Sequence, residues 1–216
     1  MHDFEGCVIH AQVDFVINHT NLCISIAKAV RERFGLRKSQ RERREALANA
    51  DAALANWYMM LPSSLQLRSS NTGTSAAALH LAYNNILILL HRPHPREVQQ
   101  HRDSGSNDGD ICGAAAVTIV NVLEDLRNRD GMACLWLSEV NALFTAMVQI
   151  SVELRLKNPI LAISALRRFD SGLCSLQKLA QFWSIAEPIL TLFRKAHMYN
   201  MACGRSKVHH HERRPK

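Results

Sequence analysis

The stretch Leu79-His80-Leu81-Ala82-Tyr83-Asn84-Asn85-Ile86-Leu87-Ile88-Leu89-Leu90-His91-Arg92-Pro93 decides the fold of this chain. From Ala76 to Leu90 the apolar residues fall on almost every face of a helix, which predicts a helix wrapped by others rather than one lying on a surface. Asn84 and Asn85 break the run, which is shorter than the ~18 residues a membrane span requires. Pro93 cannot continue the helix and drives Arg92 out of helical geometry. Tyr83, Asn84 and His91, if buried, require hydrogen-bond partners. Arg92 follows a buried helix, so its stem is expected to pack and its guanidinium to find an acid, with Asp51, Glu139 and Glu187 as candidates.

Around that helix the composition is helical. The chain has 216 residues, 47% of them hydrophobic, enough for one domain around one core of ordinary size. Six prolines and nine glycines are few, while Leu, Ala and Arg abound, which favours an all-α protein. The net charge of +7 gathers in two blocks, Arg31 to Arg44 and Arg205 to Lys216. Glu32, Glu42 and Glu45 interleave with the first block, as on a solvated helix face. The six cysteines are never closer than sixteen residues, so neither a Cys-x-x-Cys zinc site nor a redox pair is present. The start, Met1 to Glu5, lacks the basic and long apolar regions of a signal peptide. Free, buried thiols in a reducing compartment are expected.

Periodicity outlines the remaining helices. Cys7 to Phe34 carries a broad apolar face of Val8, Val13, Phe15, Val16, Leu22, Ile26, Ala29 and Val30, and Gly35 stops it. Ser39 to Met60 places Leu47, Leu54, Trp57 and Leu61 on one stripe, closed by Pro62. Polar loops are expected over 63–75 and 93–110, with Asp110 capping the next helix. That helix runs from Ile111 to Asn128 with Ala115, Ile119, Val122 and Leu126 inward. Cys134 to Leu156 follows with Trp136, Val140, Leu143, Met147 and Ile150 as core. Asn158-Pro159 opens a further helix carrying Ile160, Ile163, Leu166, Phe169, Leu173, Leu176 and Leu179, which Ser171-Gly172 is expected to weaken or kink. A final helix runs from Ile185 to about Tyr199. Residues 1–203 form the domain, and 204–216 a disordered basic tail. About six or seven helices around one core result.

Chemistry-bearing motifs are sparse. Glycine-rich phosphate loops and nucleophile elbows are missing. His91 to His94 at a helix end and His209 to His211 in the tail lack further ligands at metal spacing. Trp57, Trp136 and Trp183 sit on apolar faces and read as core rather than as base-stacking platforms. No catalytic, metal-binding or DNA-binding residue is assigned.

Four segments carry a family resemblance. Leu54-x-x-Trp57-x-x-x-Leu61-Pro62, then Tyr83 running to His91-Arg92-Pro93, then Cys112-Gly-Ala-Ala-Ala116, then Leu179-Ala-x-x-Trp183-x-x-Ala186 resemble, in order, the middle regulatory region of fungal zinc-cluster transcription factors. The wording around Trp57 and from Tyr83 to Pro93 resembles the cutinase transcription factor group. The resemblance implies an all-helical regulatory domain of a nuclear transcription factor, with Trp57, Leu61, Pro62, Tyr83, His91, Arg92, Pro93, Cys112, Trp183 and Ala186 as structural motif residues. It implies zinc only in an N-terminal cluster that this chain does not contain, so the chain is expected to be the C-terminal part of the region, without sequence-specific DNA binding of its own. Transcriptional co-regulators or self-association are the implied contacts, with a small apolar effector and no membrane. The rival reading is a helical small-molecule or lipid-binding protein, or an enzyme, using an internal cavity of the same bundle.

Overall fold

In the computed structural model the described residues are 2–36, 38–67, 73–92, 108–155 and 158–211, with side chains described between 12 and 198. They form seven α-helices, α1 (His2–Phe34), α2 (Gln40–Met59), α3 (Thr74–His91), α4 (Asp108–Asn128), α5 (Leu137–Glu153), α6 (Pro159–Leu179) and α7 (Ala186–His211), with a 3-10 turn at Gly131–Cys134 and no strand. Local signals set most of the ends. Ser39 accepts from the Glu42 backbone while Glu42 reaches back to Ser39, a capping box that starts α2. Asn158 accepts from the Ile160 and Leu161 backbones, and Pro159 takes the first turn of α6. No helix of the described residues is long and apolar enough to cross a membrane.

α3 lies at the centre, against α1, α4 and α5. It divides the buried side chains into two clusters, where the composition predicts one core. Leu79, Ile86 and Leu90 face Leu22 of α1, Leu54 and Trp57 of α2, and Leu61 and Leu65 beyond it. Ala77, Leu81 and Ile88 face the other way, into α4, α5, α6 and α7, where Ile119, Leu143, Met147, Phe169 and Phe193 are buried. One helix serving two lobes has no solvent face left, which is why its sequence is apolar all round.

Several sequence expectations change. α4 begins at Asp108, not beyond Asp110. The 3-10 turn separates Cys134 from α5, so Trp136 is the N-cap of α5 and is 49% exposed, not core. A flat indole on an irregular segment has only one side to cover, and Phe15 and His19 of α1 supply it. Ile160 and Ile163 are exposed at the entry of α6, before that helix reaches the bundle. Val13, Val16 and Val30 of α1 are exposed too, because the residues that face α2 and α3 are Leu22 and Ala29. α7 continues as helix to His211, past Gly204, since a single glycine costs a helix only ~1 kcal/mol. Residues 212–216 lie outside the described residues.

Ser171-Gly172 does not break α6, which is continuous from Pro159 to Leu179. Gly172 is there for closeness. A Cβ on it would lie 2.2 Å from Met147 Sδ on α5, and Met147 is fully buried. Gly172→Ala should therefore destabilise by about 1–3 kcal/mol through overpacking, despite alanine's better helix propensity. Combining it with Met147→Val should recover most of that loss in urea unfolding. A Gly172→Ala chain as stable as the parent would show that α5 and α6 have room to part.

Candidate functional site

The motif residues do not form one site. The structure brings together those of α2, α3 and α4, and leaves Trp183 and Ala186 at the other pole. There, Trp183 Nε1 donates to the Leu135 carbonyl at 3.1 Å, and the Ala186 amide donates to the Trp183 carbonyl at 3.0 Å. This pair locks the turn into α7 onto the segment before α5.

At the first pole α2 packs along α1, and its stripe reaches α3 through Leu54 and Trp57. Trp57 is buried, and its Nε1 donates to the Asn18 carbonyl of α1 at 3.0 Å. Its ring stacks on Tyr83, with centroids 5.5 Å apart. Tyr83 also meets Tyr58, and Tyr58 stands edge-on to His80. Burial, then Tyr58 and Asp51, push the Tyr83 phenol above its ordinary value. Leu61 is buried below Trp57, and the Pro62 carbonyl accepts from the Leu65 amide in the turn out of α2.

His91 closes the arrangement. It is the last residue of α3 and only 5% exposed. Its Nε2 lies 3.0 Å from Asp51 Oδ1 on α2, and its Nδ1 lies 2.7 Å from Asp108 Oδ1 at the start of α4. Each ring nitrogen faces a carboxylate oxygen. Both contacts are satisfied at once by the imidazolium form, in which both nitrogens donate. One side chain thus ties three helix ends and anchors both sides of the 93–107 connection.

This geometry revises the expectation for Arg92. Of its three candidate acids, Asp51 is held by His91, Glu139 is buried on another side of α3, and Glu187 is exposed on α7. The Arg92 side chain is half-buried, and its Nη2 has no hydrogen-bond partner among the described residues. Its backbone does what the following proline demands, with φ −62° and ψ 127°, while its amide still donates to the Ile88 carbonyl. Pro93 itself lies outside the described residues. Cys112 is buried and points its thiol at the same Ile88 carbonyl at 3.7 Å. Burial pushes that thiol up to about 11, against a smaller downward pull from Arg92, so the thiolate needed for reactivity is suppressed.

A second feature is a cavity of ≈150 Å³ between α1, α3 and α5, walled by Ile26, Val30, Leu81 and Leu89. Its polar groups are Asn85, whose Oδ1 is buried without a partner among the described residues, and Glu139. Glu139 is 3% exposed, and burial raises its carboxyl above the usual carboxylate value despite bonds from Ser138 and the Trp136 amide. Among the described residues no three His, Cys, Asp or Glu side chains converge as metal ligands, so they do not fit a zinc cluster.

Sequence reasoning offered Asp51 to Arg92 rather than to His91, and missed Asp108, Tyr58 and His80. The place of Asp51 was legible in part: Asp51, Leu54 and Tyr58 sit at i, i+3 and i+7, on the edge of the Trp57 stripe. Asp108 had no such signal, because it lies 17 residues beyond His91 on another helix.

Along nearly its whole length the chain is similar to fungal transcription regulators. More particularly, it is 55% identical over 191 residues to an acetamidase regulatory protein of Aspergillus fumigatus, covering 88% of this chain and 25% of that protein. The acetamidase regulatory protein of Emericella nidulans is 54% identical over 194 residues, covering 90% and 24%. Cutinase transcription factor 1 alpha of Fusarium vanettenii is 24% identical over 189 residues, covering 86% and 21%. The cutinase group suggested by the Tyr83 to Pro93 wording is thus a more distant relative than the acetamidase regulators. The chain spans about a quarter of the length of the curated relatives it matches. No family model and no solved structure matches it.

Two outcomes follow from the geometry. His91→Phe removes both contacts but leaves the part-exposed carboxylates to water, so it should cost about 1–2 kcal/mol in urea unfolding. Asp51→Asn in that background should add less than it does alone, since the contact is already gone. Strictly additive losses would mean that His91 and Asp51 do not interact.

The other outcome concerns pH. His80 is buried, with Nε2 3.1 Å from the Leu65 carbonyl, and desolvation holds it below its ordinary 6.5. The unfolded chain therefore takes up that proton first. The stability His80 contributes is fully present above 6.5 and is lost as pH falls below it. Glu139, held above its ordinary value, acts in the opposite sense but equally in parent and variant. The melting temperature should fall more steeply in the parent than in His80→Gln between about pH 7.5 and about pH 5.5. Equal slopes would show that His80 takes up its proton without penalty.

Proposed function

We propose that this chain is a transcription-regulatory region that does not contact DNA sequence-specifically, and that it works in the nucleus through protein contacts rather than by catalysis. The carrying observation is the 54–55% identity to acetamidase regulatory proteins along nearly the whole chain. By the same likeness, its output is control of acetamidase-type genes. The protein contacts are co-regulators or a second copy. Any DNA contact comes from the charge of residues 31–44 and 205–216, and weakens steeply with salt.

The cavity between α1, α3 and α5 supports a small effector. At ≈150 Å³ it takes a molecule of roughly benzene size, whereas ligand pockets of drug-sized molecules run to ~300 Å³ and above.

The test is a chimera. The aligned quarter of the Emericella nidulans acetamidase regulatory protein is replaced by this chain, and acetamidase expression is measured with and without inducer. Inducible expression near the parental level is expected. A chimera that accumulates in the nucleus at parental level, yet leaves expression unregulated, would overturn the proposal.

A further inference from the structure

The cavity of ≈150 Å³ between α1, α3 and α5 is built by helical periodicity. Ile26 and Val30 stand one turn apart on α1, and Leu81, Asn85 and Leu89 follow one another at the same spacing on α3. The start of α5 brings Ser138, Glu139 and Asn141. Val30, Ser138 and Asn141 are exposed, so the mouth lies on their side, while Leu81 and Glu139 are buried.

Two polar groups set this cavity apart from a packing defect. Glu139 is 3% exposed. Its Oε2 accepts from Ser138 Oγ at 3.0 Å, and no basic side chain lines the cavity among the described residues. Burial without a counter-charge favours the neutral carboxyl, which is one O–H donor beside one carbonyl acceptor. Asn85 adds a second carbonyl, whose Oδ1 is buried with no hydrogen-bond partner among the described residues. That acceptor lacks a donor. The lining thus holds one donor and two acceptors among apolar side chains.

This set selects the ligand head. An ammonium ion would shed its water against largely apolar walls and force a buried acid to ionise. A carboxylate would bring a second negative charge to an acid with nothing to balance it. A purely apolar molecule would leave the Asn85 carbonyl unpaired. A primary carboxamide has one carbonyl and two N–H groups, the complement of the lining, and buries no charge. We infer that this cavity is a binding site for a small, neutral, free amide, with the Glu139 carboxyl and the Asn85 side-chain carbonyl holding its amide group and Ile26, Val30, Leu81 and Leu89 enclosing its alkyl body. The inference rests on the effector reading above and gives it a chemistry. Binding is read on this chain alone, so its failure leaves the chimera result standing.

The probe is isobutyramide, which is about the size of benzene and so matches the cavity. Nitrogen-15 correlation spectra of the labelled 216-residue chain are recorded as it is added. Saturable shifts are expected at Leu81, Asn85, Glu139 and their neighbours, with a Kd on the order of 1 mM or below. Methyl isopropyl ketone has the same shape but no N–H, and should bind about tenfold more weakly. Isobutyrate and isobutylammonium at neutral pH should bind more weakly than the amide. Glu139→Gln keeps a donor and an acceptor, so it should bind isobutyramide within about threefold of the parent, whereas Glu139→Leu should lose about tenfold or more. No saturable shift at these residues, or saturation elsewhere on the chain, would overturn the inference. So would a ketone that binds as well as the amide, a charged probe that binds better, or a Glu139→Leu chain that binds as tightly as the parent. The comparison of amide with ketone uses the parent chain alone, so it decides the matter even where a variant fails to fold.

Discussion

Everything in this fold is arranged around α3. A helix of Leu, Ile and Ala with no polar face cannot lie against solvent, so the chain must surround it. α1 and α2 cover one side while α4 to α7 cover the other. Each large side chain so buried contributes roughly 1.5–3 kcal/mol. The two clusters are therefore not independent domains: Leu87 packs against both, and removing either lobe would expose half of α3.

Burial on all sides creates a problem at the helix end, where carbonyls and polar side chains must be satisfied. The chain solves it with long-range partners. His91 draws in Asp51 and Asp108, and Asn84 donates back to the His80 carbonyl within its own helix. The same logic holds in the other lobe, where Arg127 donates to the Ser171 carbonyl and to Ser175 across the α4–α6 contact. These polar anchors fix which helices meet and at what height, a choice that apolar packing alone leaves loose. In this structure the residues from Tyr83 to Arg92 mainly set how α3 is terminated and held. A regulatory region needs such fixed helix ends if a contact at one surface is to be felt at another.

α1 shows the limit of composition as a guide. Its apolar residues read as one broad face, yet in three dimensions they are two stripes with different surroundings. Arg31 to Arg44 shows the converse. There the interleaved acids indicate a solvated surface, and Arg41 and Glu45 pair at 2.8 Å on it, although Arg33 is buried. Charges separated by one helical turn interact locally, so sequence reveals them. Which side of an apolar helix is inward depends on neighbours that sequence spacing does not contain.

By itself the sequence determined the helices, most of their ends, the central place of α3 and the resemblance to fungal transcription regulators. Those follow from local physics, namely periodicity, proline and glycine stereochemistry and capping, or from a motif that is local in the chain. Trp57, Leu54 and Leu61 were legible as core because a regular stripe in mid-helix has only one way to face. Trp136 was not, because it sits in a break between a 3-10 turn and a helix, where period no longer indicates direction. The partners of His91, the small cavity beside Glu139 and the exposure of one apolar stripe of α1 were decided only by tertiary structure. Each depends on atoms brought together from residues far apart in the chain, and the meeting is set by how helices pack, which no window of sequence encodes.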